Sequence, residues 1–269
     1  MYNVNTMGQV LEFVDTHCHI QFPDYELDPL EVIESAKLVG VNRLLVVGCA
    51  LPDSQLAVKF AGRNKNIWAS IGLHPHEASK YFHDHHALQQ FRDLASKPRV
   101  VAIGETGLDY YYNNSPREEQ QILLRFQLDI ATEHNLPVIF HVRDAFEDFW
   151  PIFDEYSSQN KPIRGVIHSF SSDIRDLEQI LSRGLYVGLN GIMTFTKRQN
   201  QLDAAKSVPL DKLLLETDAP FLTPVPFRGK IGEPKYVRTT AEFLAILRGE
   251  SLEEIASTTT ANAINLFSL

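Results

Sequence analysis

The sequence predicts an α/β protein, a single-domain (β/α)8 TIM barrel, and three observations carry that prediction. Short apolar runs of strand length alternate with longer segments of helical period, and the alternation repeats eight times across 269 residues. Strands in series with helical segments between them are joined by crossovers, which makes them parallel. Eight such units in a chain of this length are the number and size of a (β/α)8 barrel. An open doubly wound sheet is the alternative, but it would normally carry a Gly-rich turn after its first strand. The chain has no G-x-G-x-x-G there, and after Leu11 it has no Walker loop and no G-x-S-x-G.

The elements follow in order. Residues 1–10 read as an N-terminal extension, and Leu11–Thr16 is the first strand. It leads into a helix over Pro29–Val39, with Pro29 in the first turn, Leu30, Ile33, Ala36 and Lys37 fitting the helical period and Gly40 as the stop. Arg43–Cys49 is the second strand, and the helix over Pro52–Gly62 offers Leu51, Leu56, Val58 and Phe60 for packing. Ile67–Gly72 is the third strand, with helix over His85–Ser96. Val100–Gly104 is the fourth, delivering Glu105, then a tyrosine-rich loop (Tyr110–Tyr112) and a long helix over Pro116–His134. Pro137–Phe140 delivers His141, and helix covers Ala145–Ser157. Gly165–Ile167 delivers His168, with helix over Ser172–Ser182 stopped by Gly184. Leu185–Leu189 and a helix near Asn200–Ser207 precede the eighth strand, Leu213–Leu215, which delivers Glu216 and Asp218. Helices over Pro234–Arg248 and Leu252–Phe267 end the series.

Bulk properties narrow the function. The formal net charge is −9, so a broad basic surface for duplex nucleic acid is not expected, and a phosphate-bearing ligand has to be attracted locally. Two cysteines are too few for a disulfide framework, and the first residues do not read as a signal peptide; both point to a cytoplasmic protein. No apolar stretch is long enough to span a membrane.

The ionisable residues fall where strands end. His17 and His19 stand at i, i+2 after the first apolar run, a spacing that puts both rings on one face of a strand. Glu105, His141, His168 and Asp218 follow the fourth, fifth, sixth and eighth runs. An unpaired charged group at a barrel mouth costs several kcal/mol, order of magnitude, unless it is paired or binds metal. Four imidazoles and two carboxylates at that level supply ligands for two divalent cations, and Glu105, central in strand order with two oxygens, is the natural bridge. For any single member the bland alternative is a hydrogen-bonded core residue. The imidazole-rich set suits zinc, manganese or cobalt, while magnesium prefers oxygen shells yet can support turnover at cellular concentrations. Protons compete for imidazole, so metal affinity is expected to fall below about pH 6.

Six short signatures then occur in order: Asp-Thr-His-Cys-His, Gly-Leu-His-Pro, Gly-Glu-Thr-Gly-Leu-Asp, His-Val-Arg, His-Ser-Phe and Leu-Glu-Thr-Asp-Ala-Pro. Together they resemble the TatD family of metal-dependent deoxyribonucleases, within the wider amidohydrolase-like barrels, from about Phe13 to the C-terminus. The resemblance implies hydrolysis of DNA phosphodiesters by a two-metal-activated water, with exonucleolytic trimming of single strands from the 3′ end. It implies that His17, His19, Glu105 and Asp218 hold one ion and Glu105, His141 and His168 the other, with Asp218 taking a proton from the attacking water. One departure is visible: the family often has Asn-Glu-Pro near the late helix, where this chain has Gly232-Glu233-Pro234. That puts a loop or substrate contact in doubt, not the metal ligands.

Around this set, His74 contacts the substrate phosphate or serves the turn before Pro75, and Arg143 reaches a phosphate or makes a surface ion pair. Asp15 and Glu216, each two residues before a ligand and deeper on the same face, support the ligands rather than bind metal. Cys18 points into the strand–helix layer as packing. Tyr110–Tyr112 stack on splayed bases or pack over a helix, and Phe227–Lys230 approaches a nucleic-acid backbone or is solvated. Two other functions compete: an amidohydrolase-type enzyme acting on a small ester, amide or phosphoester, and a non-catalytic metal-binding scaffold. Many amidohydrolase-like barrels bridge their metals with a carboxylated lysine at the end of the fourth strand, and Glu105 there favours the nuclease branch.

Overall fold

A computed structural model describes residues 11–112, 114–158 and 162–269; the N-terminal extension read from the sequence lies outside the described residues. Eight strands form one sheet in sequential order: β1 Phe13–Cys18, β2 Val41–Val47, β3 Ile67–Ile71, β4 Val100–Asp109, β5 Val138–Arg143, β6 Gly165–Ile167, β7 Tyr186–Leu189 and β8 Leu213–Leu215. The pairs β1–β2, β3–β4, β4–β5, β5–β6 and β7–β8 are parallel. After β8 the chain returns beside β1: Cys18 bridges Ala219 in parallel, and the Asp218 N–H donates to the His17 carbonyl at 2.8 Å. This is the (β/α)8 barrel that the sequence predicts. Among the described residues no helix is long and apolar enough to cross a membrane.

The chain forms two compact units, one of the residues up to Val46 with Ser169–Leu269, the other of Val47–His168. The first contains α1 (Pro29–Leu38), and the second contains α2 (Leu51–Ala61), α3 (Ala78–Tyr81), α4 (His85–Leu94), α5 (Arg117–His134) and α6 (Phe146–Ser157). Helices α7 (Ile174–Ser182), α8 (Gln199–Ser207), α9 (Val237–Arg248) and α10 (Leu252–Phe267) complete the first unit. In the second unit α6 buries Phe149 and Phe153 on Phe140 of β5, with ring centroids 5.0 and 5.8 Å apart. Each such ring contributes about 1.5–3 kcal/mol by burial, and Phe140→Ala would cost about 3–5 kcal/mol.

The departures from the sequence reading have local causes. Helix α2 leaves Leu56, Val58 and Phe60 only half-buried; its fully buried stripe is Leu51, Ser54, Ala57 and Ala61. Small residues are required because the strand end comes close: a Cβ on Gly48 would lie 2.6 Å from the Ser54 Cα. Leu30 is exposed, and α1 buries Val32, Ile33 and Ala36 instead. Helix α7 starts at Ile174 because Asp173 caps it, accepting from the N–H groups of Arg175 and Asp176. Pro234–Tyr236 is a 3₁₀ turn, and α9 begins after it.

The differences that bear on function are at strand ends. β1 runs on through His17, β4 through Glu105 to Asp109, and β5 through His141 to Arg143. These three side chains therefore sit on strands, not in the loops beyond them; His141 is register-paired with Gly107, while His17 and Glu105 stand at irregularities in the register of β1 and β4.

Candidate metal centre

In the first unit, β1 presents His17, and His19 is the first residue beyond the strand's end. Their Nε2 atoms are 3.1 Å apart and face the Asp218 carboxylate, whose Oδ1 is 3.7 Å from His17 Nε2 and 3.3 Å from His19 Nε2. Asp218 has a left-handed backbone, φ +64°, which an Asp tolerates better than most residues. Its N–H bond to His17 and the 2.6 Å bond from His19 N–H to Ala219 O lock the two segments together.

Asp15 braces this arrangement from below. It is fully buried; Oδ1 accepts from His17 N–H at 3.2 Å and Thr217 N–H at 2.9 Å, and Oδ2 accepts from the Thr217 hydroxyl at 2.6 Å. Burial pushes its carboxyl up to about 8, against the lowering effect of those donors. Glu216, also buried, accepts from Ser169 N–H at 2.6 Å. Cys18 is buried, its thiol donating to Leu45 O at 3.6 Å. Phe22 stacks on His19 with centroids 4.7 Å apart, and Phe22, Phe221, Arg228 and Lys230 help to line a cleft of about 450 Å³.

In the second unit Glu105 gathers the donors. Its Oε1 lies 2.7 Å from His141 Nδ1, 3.6 Å from His74 Nε2 and 3.8 Å from His168 Nε2. Glycines make room for it: a Cβ on Gly72 would lie 2.2 Å from the Glu105 backbone nitrogen. Gly107, two residues on, has φ +152° and leaves no space for a side chain beside the His141 carbonyl. The Cys49 thiol donates to Glu105 Oε2 at 3.8 Å.

His141 is held from both sides. Its Nε2 is 2.9 Å from Oδ2 of the fully buried Asp109, the arrangement by which carboxylates orient metal-binding imidazoles. Burial disfavours the imidazolium, but the bonds to Asp109 and Glu105 outweigh it and raise His141 to about 9. Burial works against the Asp109 carboxylate too, and the His141 bond overrides it, holding Asp109 well below the usual carboxylate range. His74 goes the other way: burial, with repulsion from His141, lowers it to about 3 and keeps it neutral. His74 Nδ1 also accepts from His76 N–H at 3.2 Å, so this residue both caps a turn and belongs to the cluster.

The donor set fits divalent cations. An ion with four ligands at about 2.0–2.1 Å sets neighbouring donors roughly 3.3 Å apart. The separations of 3.1, 3.3 and 3.7 Å among His17, His19 and Asp218 bracket that spacing. In the second unit, donor atoms of His74, Glu105 and His141 all lie within 4.8 Å of one another.

The family model described as TatD related DNase matches residues 14–268. The chain belongs to this family. It is 40% identical over 253 residues to an uncharacterized metal-dependent hydrolase, YabD, of Bacillus subtilis, covering 94% of this chain and 98% of that one. To the 3′-5′ ssDNA/RNA exonuclease TatD of Shigella flexneri it is 34% identical over 261 residues, covering 95% and 98%. Among solved structures, the TatD homologue YJJV of Escherichia coli superposes with a TM-score of 0.88 at 30% identity, covering 96% of this chain and 98% of that one.

Against this TatD background, Gly232 has a physical reason. A Cβ there would come within 2.8 Å of the Pro220 and Phe221 backbones, and Gly232 N–H donates to Pro220 O at 2.8 Å. Its carbonyl accepts from the Tyr25 hydroxyl at 3.0 Å, so backbone groups tie down the loop where a family asparagine would otherwise stand. Arg143 makes no ion pair with a carboxylate among the described residues; its guanidinium packs on Tyr111 and Tyr112. Reasoning from sequence missed Asp109, His76 and Cys49. The signal for Asp109 was there: Glu105, Gly107 and Asp109 alternate on one strand and share a face. His74 and His76 repeat the i, i+2 spacing of His17 and His19.

Proposed function

We propose that this chain is a metal-dependent phosphodiesterase that shortens single-stranded DNA from its 3′ end. The observation that carries the reading is the spacing of His17, His19 and Asp218, three donor groups 3.1 to 3.7 Å from one another, the separation that ligands of one small cation have. His17, His19 and Asp218 would hold one divalent ion, and His141 and His168 the second. Glu105 is read as the carboxylate offered to both, on its place in strand order. The imidazole-rich set favours zinc or manganese, with magnesium able to support turnover.

Bound divalent ions bring the pKa of a coordinated water to about 7 and stabilise charge on an attacked phosphodiester. The chain's own groups do the rest. Asp218 is read as taking the proton of the attacking water as its oxygen bonds to the phosphorus of the terminal nucleotide; the P–O3′ bond breaks, and the 3′ oxygen of the shortened strand leaves and takes a proton from solvent. Asp109 keeps the His141 ring in one orientation and tautomer. His74, which burial and His141 keep neutral, and Arg143 are read as the groups that contact a phosphate oxygen. The relative named as a 3′-5′ ssDNA/RNA exonuclease supports the choice of nucleic acid as substrate and of the 3′ end as the point of attack.

The test uses single-stranded oligonucleotides labelled at either end, with the protein as purified, chelated, and reloaded with zinc, manganese or magnesium. The 5′-labelled strand should give a descending ladder that chelator abolishes and metal restores. Intact oligonucleotide under every metal, beside turnover of a small ester or amide, would overturn the reading in favour of an amidohydrolase-type activity.

A further inference from the structure

The tyrosine-rich loop after β4 divides into two parts. Tyr110 is structural: its hydroxyl donates to Asp148 Oδ2 at 2.8 Å and accepts from Gln121 at 3.0 Å, and the Arg117 guanidinium lies 4.1 Å from its ring centre. Tyr111 and Tyr112 carry ring contacts, Tyr112 edge-to-face with His76 at 5.5 Å, but no such hydroxyl anchors. They are 59% and 55% exposed, their rings stand edge-to-face at 4.9 Å, and among the described residues neither hydroxyl has a hydrogen-bond partner. Two adjacent aromatic rings left in water forgo burial that the fold could use, so the exposure calls for an explanation.

The pair is nevertheless firmly built. Both backbone N–H groups donate to Asp109 Oδ1, each at 3.0 Å, while the other oxygen of that carboxylate holds His141. Asp109 and Arg143 are register partners on β4 and β5, and Tyr110 N–H extends the ladder to Arg143 O at 2.9 Å. Arg143 therefore rises directly beside the loop. Its guanidinium carbon is 4.0 Å from the Tyr111 ring centre and 4.7 Å from that of Tyr112. A guanidinium stacked on aromatic rings keeps its in-plane N–H fork available for a bidentate phosphate contact. On a chain of net charge −9, an exposed arginine with no carboxylate partner among the described residues is a local positive point.

We propose that Tyr111, Tyr112 and Arg143 form a platform for single-stranded nucleic acid, with a base stacked on the exposed tyrosine face and a backbone phosphate on the Arg143 fork. This rests on the phosphodiesterase reading and adds where the strand lies next to it. Because Asp109 holds both the platform and His141, a strand seated on the tyrosines is in register with the second cluster. Stacking is sequence-tolerant, since every base has a π face. Aromatic–arginine patches also serve protein interfaces, and the experiment separates the two.

Binding is measured with a labelled phosphorothioate oligodeoxynucleotide, which resists cleavage, and with an abasic oligomer of equal length and charge. Wild type should prefer the base-bearing strand by roughly 5- to 150-fold, the span of one stacked base. Tyr111→Ala with Tyr112→Ala should remove that preference, and Tyr111→Phe with Tyr112→Phe should keep it. Arg143→Gln should weaken both oligomers and flatten the salt dependence by about 0.7 in log–log slope. Equal affinity for the two oligomers in wild type, or a preference that survives the double alanine variant, would overturn the platform and leave the patch to a protein partner. Turnover of bis(p-nitrophenyl) phosphate by wild type is followed separately. Its absence would sink the phosphodiesterase reading whatever the oligomers show.

Discussion

In the His17–His19–Asp218 cluster the donors come from one strand end and one turn, and a single buried carboxylate, Asp15, braces both segments. In the Glu105–His141 cluster the donors come from separate strands and the loop after β3, and support reaches outward from Asp109 to His141, His76 and two tyrosines. The protonation chemistry differs in the same sense. Asp15, enclosed with neutral donors, is pushed towards its neutral form, whereas Asp109, bonded to His141, is held ionised. A neutral brace fixes geometry alone. An ionised one also raises the basicity of the imidazole that it touches and gives that cluster a route to the surface.

This contrast can be broken by substitution, most severely at the donors. Glu105→Gln should lower kcat/KM on single-stranded DNA by well over the roughly 10–100-fold typical of a group one step further out; steady-state kinetics under saturating metal measures it. Asp109→Asn removes the charge on His141 and should cost about 10–100-fold in turnover or in affinity for the second ion, the first ion being unaffected. Asp15→Asn should cost less than Asp109→Asn in both, because an amide reproduces a neutral carboxyl there and the Thr217 hydroxyl can turn to accept.

Asp15 also gives a pH effect whose sign is fixed. Its folded-state pKa is raised to about 8, so its contribution to stability is complete below about pH 4 and is lost as pH rises towards 8. In metal-free protein the wild type should therefore lose Tm relative to Asp15→Asn between those limits, a difference read by calorimetry at several pH values. The smallest effect lies outside both clusters. Asp173→Ala removes the cap of α7 and should cost about 1 kcal/mol by denaturant unfolding, without changing activity.

Much of this was legible in the sequence because it is local. Apolar alternation reported the strands, and the six expected ligands stood next to those runs. Strand limits were less legible. The apolar signal stops at the first polar residue, but pairing does not, so β4 continues through Glu105 and Thr106 to Asp109. Asp109 was hidden for that reason: with the fourth strand ended at Gly104, it had no face to share with Glu105. The α2 stripe was hidden for another, since hydrophobicity pointed to Leu56 and Phe60 while the close approach of Gly48 selected Ser54 and Ala57. The role of Gly232 depends on the Pro220 backbone, twelve residues earlier, and no local pattern contains it.

The proposed activity needs two sets of side chains, each gripping a cation. The direct measurement is metal content per chain after reloading and desalting, for wild type, His19→Ala and His141→Ala. About two equivalents are expected for wild type and about one for each variant. Retention of the wild-type content by both variants, or no bound metal in a folded wild-type chain, would contradict the proposal.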